Sequence, residues 1–592
     1  MSDRNVLQAW DYVIFASMLL VSTIIGIYFA YKNKKGKGLT TEEFLIGSRQ
    51  ISAFPIALSL AASFLSAITV IGGPAEVYLY GIMVVMFTMA CLLTMTITCL
   101  IYIPLFYRLN IISTYESIYL GIATYAPALA LSEVTGVNLW TSIMTTGFVC
   151  TLYTTLGGIK AVVWTDVFQI CIMLAGLLAL MIQGLIHCGG FGKVWKIAEE
   201  GGRLNLFDFD PDPRKRHTFW TTVIGGTFGW TAIYSCNQAQ IQRYLACRSE
   251  KEAKVAVFLN WIGMLLVTIA ACMCGLVMYA VYENCDPMEA KRITNANQMA
   301  PLLVLEILSH VPGAPGLFIA SAFSGTLSTI SSGINAIAAI FVEDIIKPNS
   351  KSWKHFSEHK RALISKLLAM IFGLATMGMA GITSLFQENV MQLARSIDGL
   401  ILGPILGVFT LAALFPKCNG KGAFVGMLIA FAASLALGIC SNMYPPADKF
   451  TRKLKTSTEG CHLFNITILT PMNRSSFITT MVKSPTSDKT ESIFENIGSL
   501  SYGYYTPIGC LIAIIIGLLI SLATGGAKNV DPTLIAPILH TVHKNIFKKE
   551  PATPPHETAV ELLETTTEKK LNTAHHSSNS QNEKPLQPLV SE

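Results

Sequence analysis

Residues 307–342, ILSHVPGAPGLFIASAFSGTLSTISSGINAIAAIFV, run for 36 positions without an Asp, Glu, Lys or Arg. The same absence recurs at 12–31, 50–75, 77–107, 117–132, 134–159, 167–192, 217–242, 255–282, 367–387, 399–416, 422–447 and 496–527. A bilayer core about 30 Å thick is crossed by about 20 apolar helical residues, and most of these stretches reach that length. In lipid only helices and closed barrels satisfy their own backbone, and the period-two alternation of a membrane barrel is absent. The chain reads as an all-α polytopic membrane protein. Its transmembrane domain, residues 12–527 with about 13 helices, lies between a short N-terminus, 1–11, and a polar tail, 528–592.

The opening stretch is not uniformly apolar. Ser321, Ser324, Ser328, Ser331, Ser332 and Asn335 fall at three- and four-residue steps and make one polar stripe on a helix. Such a stripe gains nothing against lipid. Two readings stay open: close helix packing through small residues, or a cavity in which the adjacent hydroxyls of Ser328 and Thr329 coordinate an alkali ion. A second face of this kind lies in the second span, where Ser59, Ser63, Ser66 and Thr69 recur at helical spacing ahead of Gly72-Gly73-Pro74. Its small residues weaken the helix and favour an unwound turn, the device by which transporters present backbone oxygens to an ion at mid-membrane. Arg395 and Asp398 form a third polar place, at i,i+3 spacing ahead of 399–416. Either they are an interfacial ion pair at a helix end, or they sit within the membrane, where an Arg is costly and marks function.

Composition narrows the remaining classes. The chain is 52% hydrophobic and 14% charged, and its formal net charge of +6 is spread over the loops, so no nucleic-acid-binding face forms. The 14 Cys include no CxxC pair or zinc-spaced Cys/His cluster, and sodium is the only metal expected, with no organic cofactor. Cys285 and Cys461 fall in external loops where a disulfide has room to form, although sequence does not give pairing. HExxH, GxSxG and Walker A phrases are absent, which argues against an enzyme, and TVGYG is absent, which argues against a carbonyl-filter channel. Asp3, Arg4 and Asp11 do not make a basic leader, so the first span is expected to act as an uncleaved anchor.

Orientation follows from loop cations. Lys32, Lys34, Lys35 and Lys37, then Arg243, Arg248, Lys251 and Lys254, then Lys347, Lys351, Lys354, Lys360, Arg361 and Lys366 fall on one side when thirteen crossings start outside. The N-terminus is then extracellular and the tail, poor in aromatics and disordered by composition, cytoplasmic. Two glycosylation sequons, at Asn465 and Asn473, sit in the 448–495 loop, which the same count places outside. The segment 193–216 dissents: it counts as external yet carries Lys193, Lys196, Arg203, Arg214, Lys215 and Arg216.

Several long phrases carry a resemblance: WDYVIFASMLLVST (10–23), PAEVYLYG (74–81), YAPALAL (125–131), GGIKAVVWTDVFQ (157–169), RHTFWTTVIGGTFGW (216–230), NQAQIQRYLACRSEKEAK (237–254), PGLFIASAFSGTLSTISSGINAIAAIFVEDIIKP (315–348) and SLSYGYYTPIGC (499–510). On these the chain resembles the sodium:solute symporter family. The similar branch holds the sodium-coupled monocarboxylate transporters, the sodium/iodide symporter and the sodium-dependent multivitamin transporter. The resemblance implies a LeuT-like core of two inverted five-helix repeats, with one helix before it and two after, and alternating access around a midplane site. It also implies a sodium site built from the carbonyls of Ala62, Leu65 and Gly325 and the hydroxyls of Ser328 and Thr329. Asp166 matches a family carboxylate near the intracellular exit of sodium, and Thr69 and Trp230 match positions lining the substrate cavity.

The chain departs from that pattern in two ways. After Ser113-Thr114-Tyr115-Glu116 the family runs on for about two dozen residues that are missing here, and the remaining stretch 117–132 has 16 residues. At 1.5 Å per residue it spans about 24 Å, so the third core helix is expected to be shortened. Relatives also carry Arg where this chain has Leu79 and an apolar residue where it has Arg395, so Arg395 joins the substrate-cavity candidates. The function expected is sodium-coupled import of a small organic anion, a monocarboxylate of the lactate, pyruvate or short-chain fatty acid type, across the plasma membrane. Iodide or a vitamin such as biotin or pantothenate is the alternative cargo, and a transport-dead partner or sensor the alternative class. Oligomeric state has no signature in the sequence.

Overall fold

The computed structural model describes residues 7–35, 40–109, 128, 132, 138–383, 390–451, 453–461, 493–527 and 535–539. Among these it is helical almost throughout, with one isolated β-bridge, Ile51 to Cys247. Eight described helices are long and apolar enough to cross a membrane, and a ninth span is bent by 61°. The predicted 117–132 span, apart from Ala128 and Ser132, lies outside the described residues, as do both sequons.

We number the helices used below in chain order: α1 Ala9–Lys35, α2 Thr41–Ile46, α3 Ala53–Phe64, α4 Gly73–Tyr80, α5 Phe87–Ile97, α6 Leu139–Cys188, α7 Gly226–Cys236, α8 Gln238–Ala246, α9 Glu250–Tyr282, α10 Ala314–Ile340, α11 Glu358–Thr383, α12 Val390–Leu414, α13 Gly420–Met443 and α14 Tyr505–Ala523. Several starts are written in the sequence. Ser249 accepts from the Glu252 amide and acidic residues fill the first turn of α9, while Asn138 accepts from the Thr141 amide ahead of α6.

Helix α6 differs from the expectation of two spans, 134–159 and 167–192, with a loop between. It is helical for 50 residues, about 75 Å if straight and far more than one bilayer. Gly158, at φ 64° and ψ −160°, breaks it. Cys150 and Tyr153 reach the carbonyl of Leu327, while Asp166 accepts from the neighbouring Ser328. Residues on either side of the break therefore meet adjacent positions of α10, so the chain doubles back at Gly158 without a loop. Only glycine fits there: a Cβ would stand 2.8 Å from the Phe44 carbonyl oxygen. Asp166 consequently lies inside a membrane helix, two turns past the bend.

The second span is the bent one. α3 ends at Phe64, Leu65 has φ −79° and ψ 68°, and the chain resumes through a π-helical turn, Ile68–Gly72, into α4. A second break was not foreseen. A π-helical turn at Trp220–Gly225 leads into α7, and Asn237, with φ −80° and ψ 128°, separates α7 from α8. The two broken helices head the two repeats implied by the resemblance.

The structure gives partners to most cations of the dissenting segment. Arg203 is buried against the Tyr279 ring at 3.7 Å, Arg214 pairs with Asp212, Lys215 with Asp208 and Asp210, and Arg216 with Glu76. Cys285 and Cys461 are joined in a disulfide, which ties the end of α9 to the segment after α13.

Candidate functional site

The break between α3 and α4 lies directly against α10. A Cβ on Gly325 would come within 2.7 Å of the Ala67 nitrogen and 2.8 Å of the Leu65 oxygen, so only glycine permits this approach. The hydroxyl of Thr329 donates to the carbonyls of Ser63 at 3.2 Å and Gly325 at 2.9 Å. Ser328 Oγ is 3.5 Å from Ser63 Oγ and donates to Asp166 Oδ1 at 2.7 Å. Ala62, Leu65, Gly325, Ser328 and Thr329 are all buried here. The end of α3 leaves last-turn carbonyls short of helical partners, so oxygens from two helices converge where the backbone is irregular.

A charged centre sits beside this junction. Asp166 Oδ2 accepts from Ser59 Oγ at 2.5 Å and from Arg243 at 2.8 Å. Arg243 also donates to Ser59 at 2.7 Å, Ser63 at 2.6 Å, Ser332 at 2.5 Å and the carbonyl of Ala239 at 2.7 Å. Both members of the ion pair have no exposed side-chain surface. This corrects the assignment of Arg243 to a cytoplasmic loop: it lies in α8, buried, because Asp166 and three hydroxyls supply what water would. No local signal gave the pairing, since the partners are 77 residues apart. Gln169, one turn beyond Asp166, and Ser324, one turn before Ser328, are also buried, and neither side chain has a hydrogen-bond partner among the described residues.

Of the substrate-cavity candidates, Thr69 and Trp230 sit on elements that both pack against α12, the helix that carries Arg395. Trp230 packs edge-on against Phe64, which stacks on Tyr234 at 4.6 Å, so this aromatic cluster borders the α3 break. Thr69 is half-buried in the π-helical turn after that break, its amide on the Ser66 carbonyl at 2.9 Å. Arg395 falls on α12, with its side chain outside the described residues, and so does the question of its pairing with Asp398. Asp398 lines a separate cavity of about 40 Å³ with Phe87, Thr221, Tyr502 and Thr506, among glycines of α7 and α12.

The profile of the sodium:solute symporter family matches residues 44–119 and 114–430. The chain belongs to this family. The two matched pieces overlap at 114–119, beside the stretch from which about two dozen residues of the family pattern are missing. The mouse sodium-coupled monocarboxylate transporter 1 is 45% identical over 557 residues, covering 90% of this chain and 90% of that protein. The human sodium/iodide cotransporter is 41% identical over 558 residues, covering 89% of this chain and 85% of the other. Among solved structures, a substrate-bound, outward-open Na+-coupled sialic acid symporter has a TM-score of 0.68 at 21% identity, covering 88% of this chain and all of that one (100%). That likeness establishes the shared LeuT-like fold. As a member of the sodium:solute symporter family, the chain is a multi-pass, sodium-coupled membrane transporter and not an enzyme.

Proposed function

We propose that this chain imports a small organic anion, a monocarboxylate before iodide or a vitamin, together with sodium across the plasma membrane. The observation that carries the coupling is the approach of the Leu65–Ala67 break to Gly325, with Ser328 and Thr329 on the same face. Sodium is held by the carbonyls of Ala62, Leu65 and Gly325 and by the hydroxyls of Ser328 and Thr329, and it leaves past Asp166. Thr69, Trp230 and Arg395 face the anion. A cation entering down about 100 mV releases roughly 2.3 kcal/mol from voltage alone, which favours uptake of the anion coupled to it. The N-terminus, 1–11, and the 448–495 loop with its glycans at Asn465 and Asn473 face outward. The 528–592 tail faces the cytoplasm.

The cargo follows from the relatives' names together with the cationic Arg395, whose planar fork suits a carboxylate. The deciding experiment is a panel of lactate, pyruvate, butyrate, iodide and biotin offered to expressing cells in sodium or in choline. Sodium-dependent uptake of a monocarboxylate supports the assignment, and uptake indifferent to the replacement refutes it. The split of the family match at 114–119 favours one second reading, a transport-dead partner or sensor. Normal surface expression with no uptake of any of the five would establish it.

A further inference from the structure

We propose that Arg243 is a tethered counter-cation that competes with sodium, so that its departure from Asp166 accompanies sodium binding and its return accompanies sodium release. This rests on the sodium site proposed above. The guanidinium sits in a cage of oxygens: Asp166 Oδ2 at 2.8 Å, Ser63 Oγ at 2.6 Å, Ser332 Oγ at 2.5 Å and Ser59 Oγ at 2.7 Å. Each hydroxyl turns a lone pair toward it, the orientation a bare cation also requires. The hydrogen bonds that a buried ion pair requires thus also present oxygens that suit a bare cation. Here the positive charge is shared with rotatable hydroxyls that have an alternative guest next door.

The ligands of the two guests are bonded to one another. Ser328 Oγ, a sodium oxygen in the proposed site, donates to Asp166 Oδ1 while Arg243 holds Oδ2 of the same carboxylate. Ser63 Oγ accepts from Arg243 and lies 3.5 Å from Ser328 Oγ, and the Ser63 carbonyl accepts from Thr329. One carboxylate balances one cation. A second cation brought onto the neighbouring oxygens, without water, meets a repulsion that a low local dielectric magnifies. Occupancy by one weakens the hold on the other, and thermodynamic linkage makes the effect reciprocal.

The displacement has a route into the fold. Arg243 lies on α8, which begins at the Asn237 break and ends where the Ile51 amide donates to the Ala246 carbonyl at 3.1 Å, at the foot of α3. The carbonyl of Gln50 accepts from Arg248 in the same contact. Releasing the guanidinium removes its own ties from α8 to α3, α6 and α10 together, and the Gln242–Asn335 hydrogen bond and this backbone contact are then left to part before the cytoplasmic side opens.

Arg243→Gln and Arg243→Lys are compared with the full-length wild type for the half-saturating sodium concentration and the maximal rate of uptake. Their sodium-induced shift in thermal unfolding is read alongside. Loss of the charge in Arg243→Gln is expected to lower half-saturating sodium about tenfold, the scale of a unit charge removed across a few ångströms of protein, and to slow maximal uptake. Arg243→Lys keeps the charge and is expected to stay within about twofold of wild type in sodium dependence. Unchanged or raised half-saturating sodium in Arg243→Gln overturns the proposal. Hydrogen exchange on the wild type needs no variant to fold: sodium is expected to raise exchange over 238–247, and unchanged or lowered exchange there also overturns it. A wild type with neither sodium-dependent uptake nor a sodium-induced thermal shift removes the sodium site itself, and this proposal with it. A sodium-responsive wild type with an indifferent Arg243→Gln removes the counter-cation alone.

Discussion

Ser328→Ala isolates one oxygen from the junction of α3 and α10. In the structure its hydroxyl donates to Asp166 Oδ1 at 2.7 Å and is fully buried. Its loss removes one hydrogen bond to an ionised group, about 1.5–3 kcal/mol. Asp166 keeps Ser59 and Arg243 as donors, so no bare carboxylate is left and the fold should persist. In the sodium site proposed above the loss is one direct ligand. At about 1.4 kcal/mol per factor of ten, half-saturating sodium should rise tenfold or more. Uptake and current are measured against sodium concentration at matched surface expression. Thr165→Ala serves as control, because among the described residues its hydroxyl bonds only the carbonyls of Ala161 and Val162 within its own helix. Half-saturating sodium within twofold of wild type in Ser328→Ala would refute the reasoning and leave the stripe on α10 as helix packing.

Three further outcomes follow from the geometry. Gly158→Ala forces a side chain into a glycine-only conformation and onto Phe44, costing about 1–3 kcal/mol from the backbone alone; an unchanged thermal midpoint in detergent would contradict the reversal of α6 there. Glu76→Gln leaves Arg216 without its buried countercharge, a loss of about 3–5 kcal/mol, and the double variant with Arg216→Gln should be less destabilised than the single. Equal losses in single and double would contradict this. Burial holds the His217 imidazole, in the connection ahead of Trp220, down to about 4. The unfolded chain takes up that proton first, so stability should fall as pH drops from about 6.5 toward 4 and be insensitive to this group above that window. In thermal unfolding across pH, His217→Gln should flatten this decline, and an unaltered slope would argue against it.

The class of the fold was legible because the cost of a charge in lipid is paid residue by residue. Runs without Asp, Glu, Lys or Arg therefore mark spans directly. The polar stripes were legible for a similar reason, since helical periodicity places Ser59, Ser63 and Ser66, or Ser321, Ser324 and Ser328, on single faces. The small residues of the second span pointed to its break. The break at Asn237 gave no such signal, because α8 after it, QAQIQRYLA, reads as a polar loop edge until its partners are known.

Which stretches are apolar enough to enter lipid and which helical faces carry oxygen could be read along the chain, because both depend on near neighbours. Only tertiary structure decided which charges belong inside. Arg243 is indistinguishable in sequence from Arg248, five residues on, yet one is caged by Asp166 and three serines while the other reaches the Gln50 carbonyl at the exposed edge. A buried charge is tolerable only with its counter-charge and hydrogen bonds in place, and those arrive from helices far apart in the chain.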